Sequence, residues 1–285
     1  MKLCEVHVRA ALFALSSLAL LVGYRLMILD HAPAVFSGTM EDLSYGWYVP
    51  LFSLYVVWRE KREIAKSVGD PSWFGLLLAL PFAFCGFLGA RGSQLRMEIV
   101  GFVGLLISLT WAFFGARTMR RTLFPCLFLL FCLPLHSFLD VVTIHLRMLA
   151  VSIACGTLQG LGVSIVREGT MLLSPTGAFA IDVADPCSGL RSLFAMAALT
   201  AGYAYFTQPT WLRRGLLFAL SLPIAVAGNV MRILSIVLVA SCCAPDFAMG
   251  FYHDYSGYVV FLVSILLMVA TGEFIAKGAR RCARS

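Results

Sequence analysis

Charge is what this sequence has least of. Of its 285 residues 13% are Asp, Glu, Lys or Arg, 60% are hydrophobic, and the mean hydropathy is +0.87. Soluble domains are only about half apolar, so a water-soluble globular chain is excluded. Histidine is scarce too, with five in the chain, and no pair of Cys or His stands at a C-x2-C or H-x3-H spacing. That leaves no recognisable metal ligand set, and no metal or other cofactor is expected. The nine cysteines do not form a disulfide framework either. Cys85, Cys126, Cys132 and Cys155 lie singly in apolar stretches, where a small polarizable side chain packs, and the vicinal pair Cys242 and Cys243 reads the same way. Internal repeats, low-complexity tracts and a second soluble domain are absent, so one membrane domain over residues 1–285 is expected.

What is present is a series of long apolar runs. Crossing about 30 Å of hydrocarbon takes roughly 20 residues of helix, and eight runs approach that length: 8–29, 44–58, 72–90, 98–115, 122–140, 187–206, 215–243 and 257–276. The second is short and the fifth is interrupted by Pro134. The first follows Lys2 and Arg9 as a signal peptide would, yet it is too long and too closely followed by further spans, and reads as a retained helix. The expectation is an all-α polytopic membrane protein of about eight transmembrane helices.

Basic residues in short loops stay cytoplasmic. Alternate loops hold fifteen of them, from Lys2 and Arg9 through Arg59–Lys66, Arg117–Arg121 and Arg213–Arg214 to Lys277–Arg284. The other set holds four: Arg91, Arg96, Arg147 and Arg167. Both termini are therefore predicted on the cytoplasmic side of the cytoplasmic (inner) membrane. The +7 net charge is a topology signal, and its scatter over five loops without a binding module excludes nucleic acid as a partner; membrane lipid is the surrounding partner.

The longest stretch between spans, about 141–186, is then extracytoplasmic and makes a small cap between helices five and six. Its first part, "VVTIHLRMLAVSIACGTLQGLGV", has apolar residues at helical spacing and is suited to lie in the interface. Its second part alternates and contains Gly169, Pro175 and Gly177, which predicts a short hairpin of strands.

The cap runs into "AIDVADPCSGLRSLFAMAAL", residues 180–199. Cys187 stands at the first positions of helix six, where unpaired N–H groups and a partial positive charge stabilise a thiolate. Arg191, four residues on, adds to that field, while Asp182 and Asp185 oppose it if they point the same way. An ordinary buried cysteine is the bland alternative. In "LSLPIAVAGNVMRILSIVLVA", Asn229 and Arg232 interrupt an apolar helix three residues apart, hence on one face. An arginine inside a span costs about 2.5–3.5 kcal/mol on insertion scales and marks a polar site; a structural pairing with Asp182 or Asp185 is the other reading, and the two are compatible. In "FYHDYSGYVVF", His253 precedes the last span and is the one histidine near the outer ends of the late helices. His7 reads as cytoplasmic, His31 as a loop residue beyond helix one, and His136 and His145 as residues in or after the Pro134 break. A thiol, a guanidinium and an imidazole at one membrane face are the equipment of a thiol acyl transferase: attack on a carbonyl, stabilisation of the oxyanion, and proton transfer.

With these residues in view, the chain resembles an exosortase of the exosortase and archaeosortase superfamily. The resemblance rests on "PCSGLRSL" (Pro186 to Leu193), "GNVMRI" (Gly228 to Ile233) and "HDYSG" (His253 to Gly257), in that order. The N-terminal "EDLSYGWYVPLFSLYVVWREKRE" also resembles the family's Tyr-Ser-His-Gly turn, Val-Pro helix and Trp-Arg-rich exit, with Tyr45 in place of the histidine. It implies a transpeptidase, analogous to sortases in chemistry and not in fold. Its clients are secreted proteins with a short C-terminal signal, typically Pro-Glu-Pro, a transmembrane helix and a basic tail. The family casts Cys187 as nucleophile, Arg232 as substrate or transition-state stabiliser, and His253 as acid–base partner; Ser188, Arg191 and Asn229 are the candidate substrate-binding residues. Four rival classes differ in what they need. A hydrolytic intramembrane cysteine protease would use the same residues and pass its acyl-enzyme to water. A lipid acyltransferase needs a histidine deep in a span. A transporter needs broken helices and repeat symmetry at the midplane. A purely structural polytopic protein leaves the cluster without a use.

Overall fold

The computed structural model describes residues 2–37, 44–134, 136–177, 179–182, 190–242 and 252–282. The chain is mostly helical and divides into two compact units, Met1–Leu135 and His136–Ser285.

In the first unit, α1 (Lys2–Gly23) continues past Tyr24 into a π-helical turn, Met27–His31, and a short α2 (Ala32–Ser37). The two arms are bent by 56°. A 3-10 turn, Ser44–Trp47, carries Tyr45 and leads into α3 (Tyr48–Lys66); α4 (Trp73–Arg91) and α5 (Leu95–Phe128) follow, with a 3-10 turn to Cys132. Lipid gives helices no hydrophobic reason to associate, so close backbone approach between small residues takes over. A β-carbon at Gly101 of α5 would lie 2.6 Å from the Gly86 nitrogen, and one at Gly75 of α4 would lie 2.4 Å from the Ala112 nitrogen. The groove between α4 and α5 also takes polar groups: the Tyr24 hydroxyl sits against Gly86 and Gly101, and Glu98, 1% exposed, is held by His31 Nδ1 at 2.8 Å. His31 is thus a helical residue with a buried acidic partner rather than the loop residue its position after an apolar run implied.

The runs 98–115 and 122–140 prove to be less separate than the basic residues between them suggested. Helix resumes beyond Gly115, whose φ of 81° and ψ of 172° interrupt it. The carbonyls freed there accept bonds from the α3–α4 connection, Gly69 N–H to Phe114 O at 2.9 Å and Ser72 N–H to Ala112 O at 3.0 Å. Thr118 Oγ1 donates back to Ser67 O at 2.9 Å. The break therefore leaves no orphaned backbone at those positions, as burial requires.

The second unit contains α6 (His136–Gly160), a sheet, α7 (Leu190–Thr207), α8 (Trp211–Cys242) and α9 (His253–Cys282). Strands β1 (Val166–Glu168), β2 (Met171–Leu173) and β3 (Ala180–Asp182) form an antiparallel meander, so the expected hairpin gains a third strand. Turns at Gly169 and Gly177, with φ of 64° and 71°, supply the left-handed residues that connect them. Leu172 and Ile181 point from the sheet into an apolar core shared with Val151 and Leu158 of α6 and Ile233 and Val237 of α8.

Among the described residues four helices are long and apolar enough to cross a membrane: Trp73–Arg91, Leu95–Cys132, Trp211–Ser241 and Tyr255–Lys277. The bent pair His7–Gly23 and Met27–Ser37 makes a fifth if it is one span, and Leu193–Thr207 is a shorter apolar helix. The eight runs read from hydropathy thus correspond to four or five such segments here. Run 44–58 leads into α3, whose last turns carry Arg59, Lys61, Arg62 and Lys66; run four lies in α5 and run five starts in its last turns, then passes through the 3-10 turn into the start of α6.

The α4–α5 contact predicts a specific defect. A β-carbon at Gly86 would lie 1.7 Å from the Tyr24 hydroxyl and 2.7 Å from its Cζ. Gly86→Ala should lower the thermal midpoint of the purified protein by the equivalent of about 1–3 kcal/mol, and adding Tyr24→Phe should recover part of the loss. An unchanged midpoint for Gly86→Ala would contradict this packing.

Candidate active site

Helices α7, α8 and α9 pack in alternating directions, and three levels of contact fix their register. At one end Gln208 Nε2, just past α7, donates to Gly272 O of α9 at 2.9 Å. A β-carbon at Gly272 would lie 2.6 Å from the Tyr203 ring of α7 and 3.2 Å from Leu217 of α8. Midway, Met196, Ile224 and Met268 form a common core. Toward the other end Gly228 of α8 faces α9, where a β-carbon would lie 2.5 Å from Ser264 Oγ. One further turn along brings Arg232 of α8 against Gly257 of α9. The start of α7, the last third of α8 and the start of α9 therefore share one end of the unit.

At that end is a small cavity of about 40 Å³ lined by Asn229, Arg232 and Ser264, by Gly228 and Gly257, and on its apolar side by Met196 and Phe261, among others. It exceeds the roughly 10–15 Å³ one water needs. Arg232 is partly buried. It lies nine residues before Ser241, where the apolar span of α8 ends, about 13 Å of helix rise. Gly257 lies two residues inside the span of α9, which starts at Tyr255. The guanidinium thus meets the neighbouring helix close to that helix's first described turns, where the helix dipole adds to its positive field. An anion or a developing oxyanion is the species such a field favours.

The sequence-predicted residues divide into those the structure brings together and those it does not describe. Asn229 and Arg232 both line this cavity. His253 is the first residue of α9, and Arg191 is the second residue of α7. Cys187, Ser188 and Asp185 lie outside the described residues. Asp182, on β3, accepts a hydrogen bond from Thr170 Oγ1 at 3.0 Å. Among the described residues no three His, Cys, Asp or Glu gather where they could hold a metal. Sequence reasoning missed Ser264 and the two glycines. The signal was there in spacing: Gly228 and Arg232 are i, i+4, and Gly257, Phe261 and Ser264 are i, i+4, i+7, one face of each helix.

Comparison with known proteins gives one match: the family model described as transmembrane exosortase fits residues 37–270. No curated protein and no solved structure matches the chain.

Proposed function

Because the chain belongs to the transmembrane exosortase family, we propose that it is a cysteine transpeptidase, one membrane domain over residues 1–285, that cuts PEP-CTERM-type C-terminal signals from secreted proteins and passes the new C-terminus to an acceptor nucleophile. The family acts on secreted proteins with C-terminal sorting signals, and its members are multi-pass membrane proteins. The reaction is assigned to the outer face of the cytoplasmic membrane, with both termini inside and the 141–186 segment covering the site. Clients would bring a transmembrane helix and a basic tail after the signal, docking laterally from the lipid.

Chemically, the Cys187 thiolate attacks the scissile carbonyl carbon and a tetrahedral oxyanion forms. Arg232 stabilises that oxyanion or the client carboxylate beside it, through a planar fork of donors. His253 protonates the leaving amine as the C–N bond breaks, which leaves a thioester on Cys187. It then takes the proton of the incoming acceptor as the thiolate is expelled. Ser188, Arg191 and Asn229 hold the signal. The observation that carries this reading is the Arg232 guanidinium facing a cavity at the end of the unit where α7 and α9 both begin.

Variants separate chemistry from folding. Cys187→Ala should insert normally and accumulate uncut client. Cys187→Ser should be nearly as inactive, since a hydroxyl without a strong adjacent base stays protonated near neutral pH. Arg232→Lys should lose about 10²–10³-fold in kcat/KM and His253→Ala about 10²-fold or more, both measured by client cleavage at matched expression. Wild-type cleavage by Cys187→Ala would overturn the proposal, and cleaved client released as free acid with no acceptor adduct would mark a hydrolase.

Orientation is tested separately. A reporter cysteine within 160–177 should react with an impermeant thiol reagent applied from outside, and one beside Arg62 should not. The reverse pattern would move the whole site to the cytoplasm.

A further inference from the structure

We propose that Gly257 is a positioning residue: the missing side chain at 257 is the seat on which the guanidinium of Arg232 lies, and it fixes how far that arginine reaches. The proposal rests on the role given to Arg232 above, and it adds a residue that touches no substrate.

A β-carbon at Gly257 would stand 3.2 Å from Arg232 Cζ, 3.3 Å from Nη2 and 3.5 Å from Nε. Non-bonded carbon atoms prefer about 3.5–4.0 Å, so the guanidinium, which ends the Arg232 side chain, would have to give way by a few tenths of an ångström. The glycine is not there for its backbone. The left-handed glycines of the described chain are Gly115, Gly162, Gly169 and Gly177, and Gly257 is an ordinary helical residue at a position where alanine is the better helix former. What glycine supplies at 257 is space.

Neighbouring contacts keep that space from being relieved by a small helix movement. Gly228 and Ser264 hold α8 and α9 together one turn further along, with a β-carbon at 228 only 2.5 Å from Ser264 Oγ and 3.4 Å from Val260 Cγ1. Ser264 Oγ is itself tied down, donating to Val260 O at 2.9 Å. With the helices fixed there, an added methyl at 257 displaces the guanidinium rather than the helix. Lysine at 232 has no planar head group to seat, which makes its activity indifferent to residue 257.

Two measurements on the full-length protein in detergent test this. The first needs no client: phenylglyoxal modification of Arg232, followed by peptide mapping, should run at least fivefold faster in Gly257→Ala than in the wild type. Equal rates would overturn the proposal. The second is a cycle in client cleavage. Gly257→Ala should lower kcat/KM about tenfold or more beside Arg232 and less than twofold in the Arg232→Lys background, with a thermal midpoint equal to or above that of the wild type. Equal losses in both backgrounds would reduce Gly257 to a packing residue. Gly272→Ala, crowding Tyr203 at the other end of α9, serves as the packing control: its midpoint should fall and its kcat/KM below that midpoint should stay within twofold. Faster labelling with unchanged cleavage in Gly257→Ala would keep the seat and instead contradict the role assigned to Arg232.

Discussion

A guanidinium on an apolar helix has to be housed by protein, because hydrocarbon offers it neither water nor a counter-ion. Much of the second unit follows from that requirement. Arg232 occupies α8 about 13 Å of helix rise before the apolar span ends at Ser241, so a helix must shelter it from lipid. Helix α9 does so, and it comes close enough because Gly228 and Gly257 present no side chains at the two turns where the helices meet. Asn229 and Ser264 then make the adjoining cavity polar without adding charge. On the other side of α8, Ile233 and Val237 face the core under the sheet. One helix thus divides its last turns between a site with polar lining and an apolar core.

The first unit answers the same solvent with different groups. Glu98 is almost fully buried and meets His31 at 2.8 Å; a buried carboxylate without such a partner would be costly. Gly115 breaks α5, and the α3–α4 connection donates backbone N–H groups to the carbonyls the break exposes. Small residues of α4 stand beside both: a β-carbon at Gly89 would lie 3.0 Å from Glu98 Cγ, and Gly75 packs against Ala112, while Gly86 and Gly101 leave room for the Tyr24 hydroxyl. Rigid, glycine-lined contacts bring the polar groups together.

Legibility followed the kind of signal each feature leaves. Runs 72–90 and 257–276 fall inside or beside Trp73–Arg91 and Tyr255–Lys277, because span length is set by hydrocarbon thickness and hydropathy reports it directly. Asn229 and Arg232 were visible for the same reason, as polar breaks in an apolar run. That helix resumes directly beyond the break at Gly115 was not, since Arg117, Arg120 and Arg121 read as loop charges although arginine is a good helix former. Hydropathy reports the surrounding solvent and not the backbone. Strand β3 is no shorter than β1 and β2, three residues each, but Ala180–Asp182 opens the stretch read as the approach to helix six. Gly257 stood inside a quoted motif with its purpose hidden, because that purpose lies in the distance to a side chain on another helix.

Catalysis as proposed requires the Cys187 thiol, three residues before α7 in the sequence, to form a covalent bond with client. Full-length protein, incubated briefly with a peptide carrying the C-terminal signal and quenched in acid, should yield a Cys187-containing peptide heavier by the acyl fragment of the client. Hydroxylamine should release that mass, and the Cys187→Ala variant should never acquire it. Client cleavage that proceeds with Cys187 unmodified at every quench time, and that continues after the thiol is alkylated, would contradict the account.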